Sequence, residues 1–262
     1  MTWTTRPRSD LGDGLSGIVA GSGALVLLIH GVGLRAEAWA PQIDALSRHF
    51  WVIAADLPGH GESRLGAEAA LGDYTARLAR VLSQPAVVIG HSMGAMIALD
   101  LVRMVPDRVR GVAALNAIFR RGPEAKSAVL ARVEELSGKA RPDLESTLRR
   151  WFGEADTGAR RVCCAWLEGV DAAGYRAAYG VFAREDGPAD ATLRGLRCPV
   201  LFMTGGKEPN STPAMSEAMA ALAPRGRVEV VSDAAHMMPM THSAEVSERL
   251  LRFVKECQND DD

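Results

Sequence analysis

Several features that would fix a class are scarce in this chain. Its 262 residues include only four cysteines, its aromatic content is 5%, and 30 Lys and Arg nearly balance 32 Asp and Glu. Cys163, Cys164, Cys198 and Cys257 lack metal-ligand spacing, and so few thiols point to reduced cysteines in a cytoplasm rather than a disulfide framework. A net charge of −2 supplies no field that would draw nucleic acid or an anionic membrane surface. No apolar run approaches the roughly 18–20 residues of a membrane span. Met1 to Gly17 is polar and Gly-rich, unlike the charged-then-apolar opening of an export signal. What is present, 47% hydrophobic and 24% charged residues, suits one globular α/β domain with an insertion. The acidic end, Gln258 to Asp262, reads as a solvated tail.

The most informative stretch is Ala86 to Ala95. Ala86-Val87-Val88-Ile89 reads as a buried strand, Met96 to Val102 as a helix, and Gly90-His91-Ser92-Met93-Gly94 between them has the pattern G-x-S-x-G. A strand–turn–helix of this kind holds a serine on strained backbone, with glycines where any Cβ would strike the adjoining elements. Residues 1–24 read as an edge hairpin. Leu25–Ile29, Trp51–Ala55, Val109–Leu115, Pro199–Met203 and Arg227–Val231 read as further strands. Helices are expected at Glu37–Arg48, Tyr74–Leu82, Pro213–Leu222 and Ala244–Glu256. Such alternation predicts a mostly parallel, twisted sheet flanked by helices. From Glu124 to about Asp190 the strands stop, and helical patterns at Ala125–Ser137, Leu144–Phe152, Ala159–Glu168 and Tyr175–Ala183 replace them. The expected organisation is a core of residues 1–121 and 191–262 with a helical cap at 122–190.

A serine nucleophile needs a general base within hydrogen-bond reach and an acid that sets the base's tautomer. Ser92, Glu208 and His236 each follow a predicted strand, in the order serine, acid, histidine, and loops leaving the carboxyl ends of parallel strands converge on one crevice. His30 and His60, in glycine turns, are expected to brace loops, and His91 to pack behind the serine. His49 and His242 read as surface or loop residues. An oxyanion hole needs two backbone N–H donors. Met93 follows the serine, and Val32 lies in the His30-Gly31-Val32-Gly33 turn.

Over nearly its whole length the chain resembles the α/β-hydrolase superfamily. The marks are His30-Gly31-Val32-Gly33, Asp56-Leu57-Pro58-Gly59-His60-Gly61-Glu62-Ser63, Gly90-His91-Ser92-Met93-Gly94 and Ala235-His236. Arg150-Trp151-Phe152 and Gly174-Tyr175 in the insert, with Leu196 to Val200 after it, are similar to 3-oxoadipate enol-lactonases. His30 to Leu34 with Ala36 to Trp39 is similar to carboxylesterases of pimeloyl-type esters. The family's usual turn acid is an aspartate, and here Glu208 stands at that place. Other members carry the acid after the Val109–Leu115 strand, a position held by Asn116 in this chain, while Asp233 lies too close in sequence to His236. Glu208 is therefore the expected acid.

The resemblance implies a cofactor-free, metal-free serine hydrolase acting on a small carboxylic ester or (enol-)lactone. Aspartate-nucleophile dehalogenases and epoxide hydrolases of this fold are disfavoured by Ser92. A C–C bond hydrolase or perhydrolase with the same triad, or a ligand-binding, receptor-like member, are the alternatives. Arg120 and Arg121, where the sheet hands over to the insert, are candidates to hold a substrate carboxylate, and Trp151 to contact substrate. The expected partner is a small molecule, with no nucleic acid and no membrane; the sequence leaves monomer or homodimer open.

Overall fold

The computed structural model describes residues 3–137 and 143–259. Its strands are β1 (Ser9–Gly12), β2 (Leu15–Ala20), β3 (Leu25–Ile29), β4 (Trp51–Ala55), β5 (Ala86–His91), β6 (Val109–Leu115), β7 (Val200–Gly205) and β8 (Gly226–Val231). They form one eight-stranded sheet in the order β1-β2-β4-β3-β5-β6-β7-β8. β1 and β2 make the expected edge hairpin, and β2 runs antiparallel to β4. From β4 to β8 every pairing is parallel. The continuous apolar run of β3 is buried along its full length, as a strand covered on both faces requires. Its alternate residues divide between two cores. Leu25, Leu27 and Ile29 join one apolar cluster, and Val26 and Leu28 the other.

Helices α2 (Leu71–Ala79) and α3 (Met93–Met104) cover the first face, with Leu78 and Ile97 in that core. Helices α1 (Ala40–Leu46) and α11 (Ser243–Asn259) cover the second through Ile43, Leu46, Val246 and Phe253. Element boundaries differ from the sequence expectation for local reasons. The helix expected from Glu37 is divided into a 3₁₀ turn at Ala36–Trp39 and α1. Pro41, which lacks an amide proton, is accommodated in the first turn of α1. Helix α2 begins at Leu71 rather than Tyr74 because Asp73 accepts the amides of Ala69 and Ala70, both at 2.9 Å.

Between β6 and β7 lie α4 (Pro123–Ser137), α5 (Leu144–Phe152), α6 (Gly158–Gly169), α7 (Ala172–Arg184) and the short α8 (Asp190–Arg194). No strand occurs there among the described residues. Asp143, Thr157 and Asp171 cap the starts of α5, α6 and α7 by accepting amides of Ser146, Arg160 and Gly174. After β7 come α9 (Pro213–Leu222) and, beyond β8, the one-turn α10 (Met238–Thr241).

The N-terminal segment is tied to the sheet's carboxyl edge by a buried ion cluster. The side chain of Arg8, 4% exposed, donates to Glu37 at 2.6 Å and to Asp56 at 2.7 Å. Asp56 also accepts the amides of Ala36 (2.7 Å) and Glu62 (3.1 Å), so one carboxylate joins the loops after β3 and β4.

Candidate active site

Ser92 joins β5 to α3 with φ 56° and ψ −119°. A non-glycine residue in this region is strained, and the surrounding contacts must hold it there. Its amide donates to the Leu115 carbonyl at 2.9 Å, and its own carbonyl accepts from Ala95 at 2.9 Å. The flanking glycines are required by close approach. A Cβ on Gly90 would stand 2.0 Å from the Gly94 carbonyl oxygen, and one on Gly94 would stand 2.2 Å from that of Ile29.

Glu208 lies in the turn after β7 and His236 in the loop after β8. His236 Nδ1 and Glu208 Oε2 are 2.6 Å apart, and the Glu208 side chain is fully buried. The other carboxylate oxygen, Oε1, accepts the amides of Asn210 (2.8 Å) and Ser211 (3.4 Å). Burial alone would lift the Glu208 pKa, but the His236 ring and these two amides together hold it below its ordinary value. Nδ1–H of His236 is thus the donor, which leaves Nε2 as the ring's acceptor. Asp233 instead meets His242, at 3.4 Å.

The backbone of His236 is held as well. Its carbonyl accepts from Asn116 Nδ2 at 2.6 Å and from His91 Nε2 at 2.8 Å. Asn116 Oδ1 in turn accepts the Gly205 amide at 3.3 Å. Asn116, at the place where some relatives carry the acid, therefore grips the histidine's main chain rather than its ring. Burial, then the neighbouring His236, lowers the His91 pKa to about 3, so this ring stays neutral.

The turn after β3 is braced by two more neutral rings. The Leu57 amide donates to His30 Nε2 at 2.9 Å, so His30 Nδ1–H donates to the Gly31 carbonyl at 2.7 Å. The Gly33 amide donates to His60 Nε2 at 3.0 Å, and His60 Nδ1–H donates to the Pro58 carbonyl at 3.1 Å. Burial lowers the pKa of both, that of His60 to about 3. Val32 is bracketed between these two anchored residues. A Cβ on Gly31 would stand 3.0 Å from Ser92 Cβ, so the turn and the serine are in close contact.

Ser92, His236, Gly31, Val32 and Asn116 line a cavity of about 170 Å³. The insert supplies the opposite wall through Trp151, Tyr175, Tyr179 and Phe182. The Trp151 ring stacks on His236, with centroids 6.1 Å apart and planes at 22°. Met93 is fully buried as the first residue of α3, and its side chain does not line the cavity. Of the two arginines singled out in the sequence, Arg121 reaches the cavity wall. Arg120 does not. Its exposed guanidinium pairs with Asp190 at 2.5 Å and lies over the Phe119 ring. A φ of 53° and the Asp190 pair turn Arg120 to the surface, away from the substrate contact expected of it from the sequence. Arg150, which the sequence marked only within the Arg150-Trp151-Phe152 motif and not as a site residue, also lines the cavity. Among the described residues no group of three or more His, Cys, Asp or Glu is placed to hold a metal ion. No described helix is long and apolar enough to cross a membrane, and all four cysteines are free thiols.

A family model described as the alpha/beta hydrolase family matches residues 26–249. The chain belongs to that family. It is a hydrolase, and ester hydrolases stand among its relatives. The (E)-2-((N-methylformamido)methylene)succinate hydrolase of Acinetobacter baylyi is 37% identical over 243 residues, covering 90% of this chain and 92% of the relative. A pimeloyl-[acyl-carrier protein] methyl ester esterase of Xanthomonas axonopodis pv. citri is 30% identical over 246 residues, covering 90% and 97%. Among solved structures, a thermophilic esterase from Thermogutta terrifontis, with malate bound, superposes with a TM-score of 0.84 at 26% identity, covering 93% of each chain.

Proposed function

We propose that this hydrolase cleaves a small carboxylic ester or lactone through an acyl-enzyme on Ser92, with His236 as general base and Glu208 as the orienting acid. The observation that carries this reading is the 2.6 Å contact between His236 Nδ1 and Glu208 Oε2, beside a cavity that the strained Ser92 also lines. In this scheme Ser92 Oγ attacks the scissile carbonyl and its proton passes to His236 Nε2. Glu208 keeps Nδ1 protonated and stabilises the imidazolium that forms. The amides of Val32 and Met93 receive the oxyanion. His236 then protonates the leaving alkoxide, and the sequence repeats with water as nucleophile to release the acid. The names of two relatives, a methyl ester esterase and a thermophilic esterase, support an ester bond. The insert, residues 122–190, serves as a cap that closes the substrate space from above.

Covalent labelling by a fluorophosphonate probe tests the reading. The expected result is one label per chain, mapped to Ser92 by peptide mass analysis and lost in Ser92→Ala. A folded chain that takes no label would reject the hydrolytic role of Ser92 in favour of a ligand-binding member of the fold.

A further inference from the structure

The two arginines on the cavity wall are in opposite states. Arg121 has its side chain 3% exposed, and its donors are committed. Nη1 donates to the Glu185 carbonyl at 2.5 Å and Nη2 to that of Phe182 at 3.2 Å. Its guanidinium lies 4.4 Å from the Phe182 ring centroid. These bonds tie the segment after β6 to the end of α7, and the Asp186 carboxylate, 3.7 Å away, already faces the Arg121 charge.

Arg150, on α5, is exposed and faces the same cavity. A guanidinium carries five N–H donors, and among the described residues one hydrogen bond is found for it, from Nη2 to Thr147 Oγ1 at 3.3 Å. That hydroxyl is already used: it accepts from Arg132 Nη2 at 2.5 Å and donates to the Asp143 carbonyl at 2.8 Å. Arg132, on α4, also meets the neutral Ser146 hydroxyl, at 3.0 Å, the Asp143 carbonyl and the Tyr175 hydroxyl, and it lies 5.9 Å from the Tyr179 ring centroid. No described carboxylate forms an ion pair with either arginine. Desolvation, and then the charge of Arg132, pulls the Arg150 pKa below its ordinary value. An anion at Arg150 would offset both effects.

We propose that Arg150 binds a carboxylate of the substrate, so that the compound cleaved at Ser92 is a small acid bearing an anionic group apart from the scissile bond. The planar guanidinium can take such a group through two parallel N–H···O bonds. The cavity limits its size. At about 170 Å³ it only slightly exceeds the ~150 Å³ of an apolar cavity that holds benzene. The aromatic walls suit a short carbon skeleton between the two ends. The inference rests on Ser92 as nucleophile, and extends that reading from bond type to substrate charge.

Monomethyl succinate and its neutral isostere methyl succinamate are the probes. Arg150→Met should lower kcat/KM on the acid about ten- to a hundredfold more than on the amide, chiefly through KM, as expected for a lost charged hydrogen bond. Arg150→Lys should recover part of that difference, and Arg120→Met should leave the acid-to-amide ratio as in the wild type. Equal losses on both esters would overturn the proposal. Binding is read separately by calorimetry with succinate, which needs no turnover: wild type should bind it, and Arg150→Met at least about tenfold more weakly. Absence of binding to wild type, or equal binding by both, would also overturn it. Fluorophosphonate labelling of the same preparations separates the two readings. Loss of labelling with succinate binding intact would sink the nucleophile and spare the Arg150 site.

Discussion

Replacing Glu208 by glutamine changes one atom, yet the geometry predicts a large loss of activity. The two carboxylate oxygens have different duties. Oε2 accepts from His236 Nδ1 at 2.6 Å, and Oε1 accepts the amides of Asn210 and Ser211. A glutamine amide has one acceptor and one donor end. With its oxygen toward the two backbone amides, its NH₂ faces His236 Nδ1. The ring must then carry its proton on Nε2, where it cannot take one from Ser92. In the flipped orientation the NH₂ opposes two backbone donors, at least one of them buried, and stranding a buried donor costs about 1–3 kcal/mol. The productive tautomer is therefore a minor population, by roughly ten- to a hundredfold at 1.4 kcal/mol per decade. Loss of the charged acceptor weakens the bond to the imidazolium by about 1 kcal/mol more. Together these give a fall in kcat/KM on the order of 10²–10³-fold. The assay is hydrolysis of a short p-nitrophenyl ester, with circular dichroism to show that the variant is folded. Glu208→Asp, which keeps the charge one methylene shorter, should lie between the two. Glu208→Gln retaining half or more of the wild-type kcat/KM would refute the assignment of Glu208 as the acid.

Two further predictions concern the scaffold of the site. Asn116→Asp swaps the donor that holds the His236 carbonyl at 2.6 Å for an acceptor; kcat should fall about tenfold with KM nearly unchanged, and an unaltered kcat would exclude a positioning role. Burial opposes ionisation of Glu37, but the hydrogen bonds and charge of Arg8 outweigh it and hold the pKa at about 2, against an ordinary 4.5. A depressed carboxylate stabilises the fold at pH values above its unfolded pKa, so this contribution is whole above pH 4.5 and fades as pH falls towards 2. Urea unfolding across that window should show a loss on the order of 3 kcal/mol at 1.36 per pKa unit. Glu37→Gln should flatten the dependence, and an unchanged slope would reject the ion cluster as its source.

The sheet was legible because burial on both faces writes itself as unbroken apolar runs. Leu25–Ile29 and Trp51–Ala55 have the same limits in sequence and structure. Ends set by side-chain capping were less visible, as at Asp73, because a cap depends on where a carboxylate turns and not on periodicity. The helical character of the stretch between β6 and β7 was likewise plain, while α8 and α10 are too short to display a period. Ser92, Glu208 and His236 could be assigned to one crevice because their order along the chain follows the order of strands, and each strand end delivers its loop to one edge.

What sequence could not distinguish was which arginine faces the substrate space. Arg120 and Arg121 are adjacent, yet the positive φ of Arg120 sends their side chains to different destinations, one to Asp190 at the surface and one into the wall. Arg121 in turn donates to two main-chain carbonyls and faces the Asp186 carboxylate at 3.7 Å. Arg150 lies thirty residues onward in a helix where, among the described residues, its one hydrogen bond is to a shared hydroxyl. The property that matters is the count of donors left over after folding, and that count exists only once the helices have been brought together. For the same reason Asn116 looked like a missing acid in one dimension. In three it supplies a hydrogen bond to the backbone of His236, so an amide suits that position better than a carboxylate, whose oxygens would face the His236 carbonyl.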